Sequence, residues 1–397
     1  MMRYEALDAW RGISAILVVL FHFCFIFASP LMDQRLITNA YLLVDFFFVL
    51  SGFVVCHAYR ARMGDAASWR VFVLRRFGRL WPLHIAMLAA FVVFIALVNL
   101  VPHPQRFDLT LKPSEYSLVA IPIHALLLNA VNLHGMAWNA PSWSIGAEFY
   151  TYLLFGAVCI LMMRGLTKMA FALAVGSLAL LAWRSPTFMN STADLGLFRC
   201  IAGFFIGVAA YGLHARLRHL RLPVASLWEM AAVAGVVTFV VLAGEGPDKV
   251  GPQSLAAPLV FAVAVLVFAR DAGLVSRVLR TRPLAALGRW SYSIYMTHQL
   301  VLMAGAFLVW SIGRLGGFSL ERAVVLEGQA KTVYDLGSTA ASFAALAGVL
   351  AVVLALSALT HRFIELPGQR GFNRLAARME QGVFVRRVYA LARTRTR

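Results

Sequence analysis

Charge is what this 397-residue chain has least of: Asp, Glu, Lys and Arg together make up 14% of it, against 61% hydrophobic residues. A soluble domain is roughly a quarter charged and about half apolar, so the scarcity excludes a water-soluble globule. Cysteine is scarce too. Cys24, Cys56, Cys159 and Cys200 all fall in apolar stretches and form no Cys-x-x-Cys spacing, which speaks against a disulfide frame or a thiolate metal site and leaves four small buried hydrophobes. Also missing are His-Glu-x-x-His, the phosphate-cradling Gly-x-x-x-x-Gly-Lys, Gly-x-Ser-x-Gly and any repeat of 20 to 50 residues. Metal-centred and nucleotide-hydrolysing mechanisms therefore have no support.

What is present is a series of apolar runs, at about 11–28, 40–59, 82–101, 143–163, 168–184, 196–213, 228–244, 253–269, 291–313 and 337–361. Each is long enough to cross a hydrocarbon core of roughly 30 Å as a helix. Continuous runs, rather than alternation over about ten residues, favour helices over a barrel. The stretch 116–133 is also apolar, but Pro122, His124, Asn129 and Asn132 interrupt it, and it is expected to be re-entrant or to lie in the outer interface. With ten spans and both termini cytoplasmic, the inner segments hold 27 Lys and Arg and the outer loops 7. An eleventh span at 116–133 would turn every later loop over, against the tendency of basic loops to stay inside.

The fold expected is thus all-α and polytopic, a transmembrane domain over 1–361 followed by a basic cytoplasmic tail over 362–397 with nine Arg against two acids. The net charge of +18 is read as a record of insertion. Its partner is the lipid bilayer, with no nucleic acid implied.

An ionisable side chain deep in a span costs about 2.5 to 3.5 kcal/mol, so each one is a functional candidate. Arg11 and His22 are eleven residues apart, about three helical turns, and project from nearly one face roughly 16 Å apart. A buried imidazole beside a polar cavity can take a proton from a hydroxyl or carry an acyl group; it can equally be a core histidine bonded to a neighbouring helix. Asp45, near the outer end of the second run, could partner an arginine or orient a catalytic group. Arg75, Arg76 and Arg79 precede Trp81-Pro82. On a helix Arg76 and Arg79 would share one side, a geometry suited to phosphate, with insertion-signal charge as the competing explanation. Ser144 and Glu148 stand at i and i+4, and His298 brings a second imidazole into the ninth run as packing partner or reacting group.

These residues lie in six stretches: Leu7-Asp8-Ala9-Trp10-Arg11-Gly12 with His22; Val44-Asp45-Phe46-Phe47-Phe48-Val49-Leu50-Ser51-Gly52-Phe53; Arg76-x-x-Arg79 before Pro82; Pro141-Ser142-Trp143-Ser144 with Glu148 and Tyr150; Ser291-Tyr292-Ser293-Ile294-Tyr295 with His298; and Glu365-Leu366-Pro367. In that order, over nearly the full chain, the set resembles the acyltransferase-3 family of bacterial membrane O-acyltransferases. The resemblance implies a ten-span enzyme of the bacterial inner membrane. It would move an acyl group, usually acetyl from acetyl-CoA as donor substrate with no tightly bound cofactor, to a hydroxyl of a carbohydrate or glycolipid such as a surface polysaccharide. It implies His22 as the central catalytic residue with Arg11 as companion. Arg76 and Arg79 would be the handle for CoA phosphates. Beside these, Arg75 and His298 are candidates for the donor-binding set, and Asp45 and Glu148 are catalytic candidates where the acceptor would approach from the outer mouth.

The sequence departs from the family in one place, since Gly146-Ala147-Glu148-Phe149 leaves a single carboxylate where two acids and a glutamine are frequent. Some relatives carry an extracellular hydrolase-like domain, so either this chain finishes the transfer alone or a separate extracytoplasmic partner does. Two other readings stand beside this one: a transporter or flippase using the same buried charges as a path, and an acyltransferase facing the cytoplasm and acting on a small secondary metabolite.

Overall fold

The computed structural model describes residues 4–101, 115–220, 223–244, 249–326 and 329–395. Expectations falling on 1–3, 102–114, 221–222, 245–248, 327–328 and 396–397, chiefly the loop after the third run, lie outside the described residues. Because lipid offers the backbone no hydrogen-bond partners, an apolar run must satisfy its own amides and carbonyls, and a helix does so. The longer helices are α1 (Glu5–Phe23), α2 (Leu43–Tyr59), α3 (Ala66–Val98), α4 (Trp143–Met162), α5 (Leu166–Arg184), α6 (Gly196–Leu217), α7 (Ala225–Leu242), α8 (Ala257–Phe268), α9 (Arg282–Gly316), α10 (Thr339–Thr360) and α11 (Leu366–Arg395).

Eight continuous helical stretches are long and apolar enough to cross a membrane, and α8 belongs to a shorter apolar one. One of the eight, Ala140–Arg184, covers 45 residues. Drawn straight it would reach roughly 67 Å, twice a bilayer core, and it is divided into α4 and α5 at the turn Met163–Gly165. Every apolar run of the sequence coincides with one of α1 to α10.

Several boundaries differ from expectation. Helix α3 starts at Ala66, sixteen residues before the third run, because Asp65 caps it: its Oδ1 accepts from Ser68 N at 2.8 Å while Ser68 Oγ accepts from Asp65 N at 3.0 Å. This reciprocal cap satisfies two amides that the first turn would leave open. Arg75, Arg76 and Arg79 are therefore helical. The stretch 116–133 holds a helix of only six residues, Ala120–Ala125, about 9 Å long and too short to cross. Trp81 Nε1 donates to Ala125 O at 3.0 Å and Tyr150 OH to Leu126 O at 3.0 Å, so α3 and α4 hold the segment. The loop expected at 314–336 contains an antiparallel hairpin, β1 (Glu321–Leu326) with β2 (Gln329–Tyr334). It is tied to the end of α1 where Tyr334 N donates to Ile26 O at 2.8 Å and Ala28 N to Tyr334 O at 2.9 Å.

The connections gather in two groups. Arg270 donates to Leu217, Arg218 and Leu220 carbonyls beyond α6, whereas Asn39 Nδ2 donates to Val240 and Gly244 carbonyls and Asn132 N to Ala193 O. Helices approach closely where side chains vanish. A Cβ on Gly12 would collide with the Leu287–Gly288 backbone and one on Gly288 with Asp8 O, so α1 lies directly on α9; Gly52 and Gly207 do the same for α2 and α6. Such small-residue contacts are how helices associate in lipid, where burial from water gives no drive. The tail is not separate. Helix α11 lies along α3, with Gly78 against Phe372, Gly368 against Pro82, and Arg75 Nη2 donating to Glu380 Oε2 at 2.8 Å.

One ion pair is wholly dry. Asp45 and Arg199 are 0% and 1% exposed; Arg199 Nε donates to Oδ1 at 2.9 Å and Nη2 to Oδ2 at 2.8 Å. Nη1 also donates to Ser191 O and Nη2 to Tyr41 O, and the cation sits 5.4 Å over the Trp143 ring. Of the two roles open to Asp45, this geometry is that of the arginine partner. Removing one member leaves a buried charge uncompensated, at about 3 to 5 kcal/mol. Arg199→Gln is expected to lower the unfolding temperature in detergent sharply, and adding Asp45→Asn to restore part of it; a catalytic Asp45 would instead lose activity with no change in melting.

Candidate functional site

The described residues enclose a cavity of about 430 Å³ whose polar wall comes from five helices. Helix α1 contributes Asp8 and Arg11, α2 Ser51, α3 Arg76 and Arg79, α4 Ser144 and Glu148, and α9 Ser291 and Tyr295. Of the residues expected from sequence, Arg11, Arg76, Arg79 and Glu148 are brought together here. His22, His298, Asp45 and Arg75 are not among the lining residues.

The charges in the wall are not equivalent. Arg11 Nη1 lies 4.0 Å from Asp8 Oδ1 one turn back. Arg79 is paired with Glu365, its guanidinium 5.2 Å over the Tyr292 ring. Glu365 Oε2 also accepts from Ser293 Oγ at 2.7 Å and lies 3.1 Å from His361 Nδ1. Glu148 Oε1 accepts from Ser51 Oγ and Tyr152 OH, both at 2.5 Å. Arg76 alone of the three arginines forms no ion pair with an acid among the described residues. Its Nη2 donates to Tyr59 OH at 3.0 Å, and the cation lies 5.0 Å and 5.8 Å over the Tyr59 and Tyr152 rings. Its Nε is buried without a partner. A guanidinium held by ring faces and one hydroxyl keeps donors and charge for an incoming anion.

Three turns along α1 from Arg11, His22 meets His298 instead of the cavity. His22 Nδ1 lies 2.9 Å from Val18 O and 3.3 Å from His298 Nε2, with ring centroids 4.8 Å apart. A carbonyl only accepts, so Nδ1 carries the hydrogen in this assignment and the lone pair falls on Nε2, where a base or nucleophile needs it. His298 is fully buried and lies beside His22, away from the residues that line the cavity. Between the imidazoles and the cavity stands Tyr295. Its ring centroid lies 5.8 Å from that of His298 and 6.0 Å from that of Phe47. Its hydroxyl donates to Pro141 O at 2.9 Å and accepts from Ser144 Oγ at 2.9 Å.

Arg75 points the other way, to Glu380 on α11, because it is out of phase with Arg76 and Arg79 on the α3 surface. Tyr59, Tyr152, Tyr295 and Glu365 join the expected residues here; Tyr295 and Glu365 lie in the motif stretches Ser291–Tyr295 and Glu365–Pro367 that carry the resemblance. Carbethoxylation by diethyl pyrocarbonate, located by peptide mass spectrometry, is expected at half-buried His22 before His298. Tyr295→Ala should speed modification of His298 several-fold by removing the ring between it and the cavity.

Comparison with known proteins agrees with this architecture. Residues 4–362 match the family model described as an acyltransferase domain. Acyltransferase MdmB of Streptomyces mycarofaciens is 26% identical over 355 residues, 83% of this chain and 81% of that protein. Protein 2 in the picA locus of Rhizobium radiobacter is 30% identical over 154 residues, 37% of this chain and 77% of that protein. No solved structure matches the chain. With the family model covering nearly all of a helical, multi-pass membrane protein, the chain belongs to the acyltransferase-3 family and is a membrane acyltransferase.

Proposed function

We propose that this enzyme transfers an acyl group, acetyl in the first instance, from acyl-CoA to a hydroxyl of a carbohydrate or glycolipid, working in the bacterial inner membrane with the Arg76 end of the cavity toward the cytoplasm. The observation that carries the reading is Arg76: a cation with no ion-pair partner among the described residues, in a cavity that Tyr295 separates from an imidazole pair. CoA is polyanionic at one end and bears its thioester at the end of a slender arm. Its phosphates would meet Arg76, with Arg79 beside it held by Glu365, and Arg11 at the same mouth. The arm would run up the cavity past Phe47 and Tyr295 to His22.

At His22 the atoms balance without another reactant. Nε2 takes the proton of the acceptor hydroxyl, the oxygen forms a bond to the thioester carbonyl carbon, the carbon–sulfur bond breaks, and the imidazolium returns the proton to the departing thiolate. His298, packed against the ring, holds its orientation. Glu148, with its two hydroxyl donors, lines the path rather than reaching the imidazole, so its part is to shape the polar wall.

Purified protein in sealed vesicles with radiolabelled acetyl-CoA and an acceptor glycan tests the reading. His22→Ala is expected to lower label transfer by at least about a hundredfold with unfolding unchanged. Arg76→Gln should raise the KM for acetyl-CoA roughly tenfold with a smaller change in kcat, as loss of a charged hydrogen bond does. Arg75→Gln should leave that KM alone. Label transfer by His22→Ala at the wild-type rate would end the proposal, and movement of unmodified glycan across the bilayer would favour a flippase.

A further inference from the structure

A second hollow, also about 430 Å³, lies beside the end of α2, between the α4–α5 turn and α6. Arg60 and Arg164 line it, and no acid does. Among the described residues neither arginine pairs with a carboxylate; Arg60 lies 5.2 Å over the Tyr211 ring. Thr167 and Gly212 also line it, side by side, a Cβ on Gly212 coming within 3.2 Å of Thr167 Oγ1. The hollow also reaches the start of α5, whose N-cap, Gly165, offers no side-chain acceptor to the first-turn amides, so the helix dipole adds to the positive field. The rest of the lining is apolar, Cys56 and Val208 among it. The surface around it is greasy, with Leu161 78% and Leu213 45% exposed.

We propose that this hollow is a binding site for one anionic phospholipid, its phosphate between Arg60 and Arg164 and its glycerol and acyl carbons on the apolar lining. Two cations and an acid-free lining call for an anion, and the greasy rim calls for one that carries hydrocarbon. A small soluble anion would leave the apolar lining wet. The segments that contribute, 60–62 and 163–167, are among the basic loops, and anionic lipid is drawn to such pockets between transmembrane helices. The site is independent of the transfer reaction, since none of its residues lines the first cavity.

Native mass spectrometry of the intact protein released from detergent, after mixing with equal phosphatidylglycerol and phosphatidylcholine, reads it directly. Phosphatidylglycerol adducts are expected to dominate, and Arg60→Gln with Arg164→Gln to reduce them on the order of tenfold. Arg184→Gln, at an exposed arginine on the far end of α5, should leave them unchanged. Should the double variant fail to fold, Arg164→Gln alone, on an exposed turn, decides, with an expected loss of about threefold. Equal retention of the two lipids, wild-type retention by the arginine variants, or displacement of phosphatidylglycerol by millimolar inorganic phosphate would each overturn the proposal, the last by making the site one for a soluble anion.

Discussion

A charge placed in hydrocarbon must be cancelled, hydrated or withdrawn, and this requirement organises the whole molecule. Asp45 and Arg199 take the first course: a two-point ion pair with every guanidinium edge occupied, tying α2 to α6 and to the segments around Tyr41 and Ser191. Arg79 with Glu365 takes the first as well, while Arg11, Arg76 and Glu148 take the second, arrayed round a cavity whose wall runs from α1 to α9. The difference between the two groups is functional. A pair that satisfies itself is finished chemistry, while Arg76 rests on tyrosine rings with an orphaned Nε, and in the proposed reaction the CoA phosphates complete it.

How far the sequence could be read follows from range. Hydrophobic runs are local, so the helices are legible, as is the shared face of Arg11 and His22, because helical period alone sets it. Partners are not local. Nothing in periodicity pairs Asp45 with a residue 154 positions away, or draws Glu365, placed by its sequence position at a tail's beginning, back to Arg79. The choice of Arg76 over Arg75 depends on which face of α3 meets α11 and which meets the cavity, and one residue turns a side chain by about 100°. The hairpin was hidden because its strands gain their place only by pairing with each other and with the chain after α1.

Composition sets a basic tail apart at residue 361, and contacts join it to the helices before it. A basic, polar tail looks detachable, yet the π-helical turn His361–Glu365 brings Glu365 to Arg79 of the cavity wall and sends α11 along α3. Tail and membrane helices thus share one site. Two parts result, a charged chamber holding Arg76 and an imidazole pair packed beyond Tyr295. In the proposed reaction the acyl arm joins them, which gives a reason for a ring held by only two hydrogen bonds at the place where they meet.

The central claim is that the charged chamber receives acyl-CoA by its phosphates. Ala58→Cys, made after the four native cysteines are replaced, puts a thiol in that wall for a membrane-impermeant reagent. Acetyl-CoA should slow its labelling, and acetyl-pantetheine, which lacks the phosphates, should not. Labelling of an active Ala58→Cys protein at the same rate with and without saturating acetyl-CoA would contradict the account.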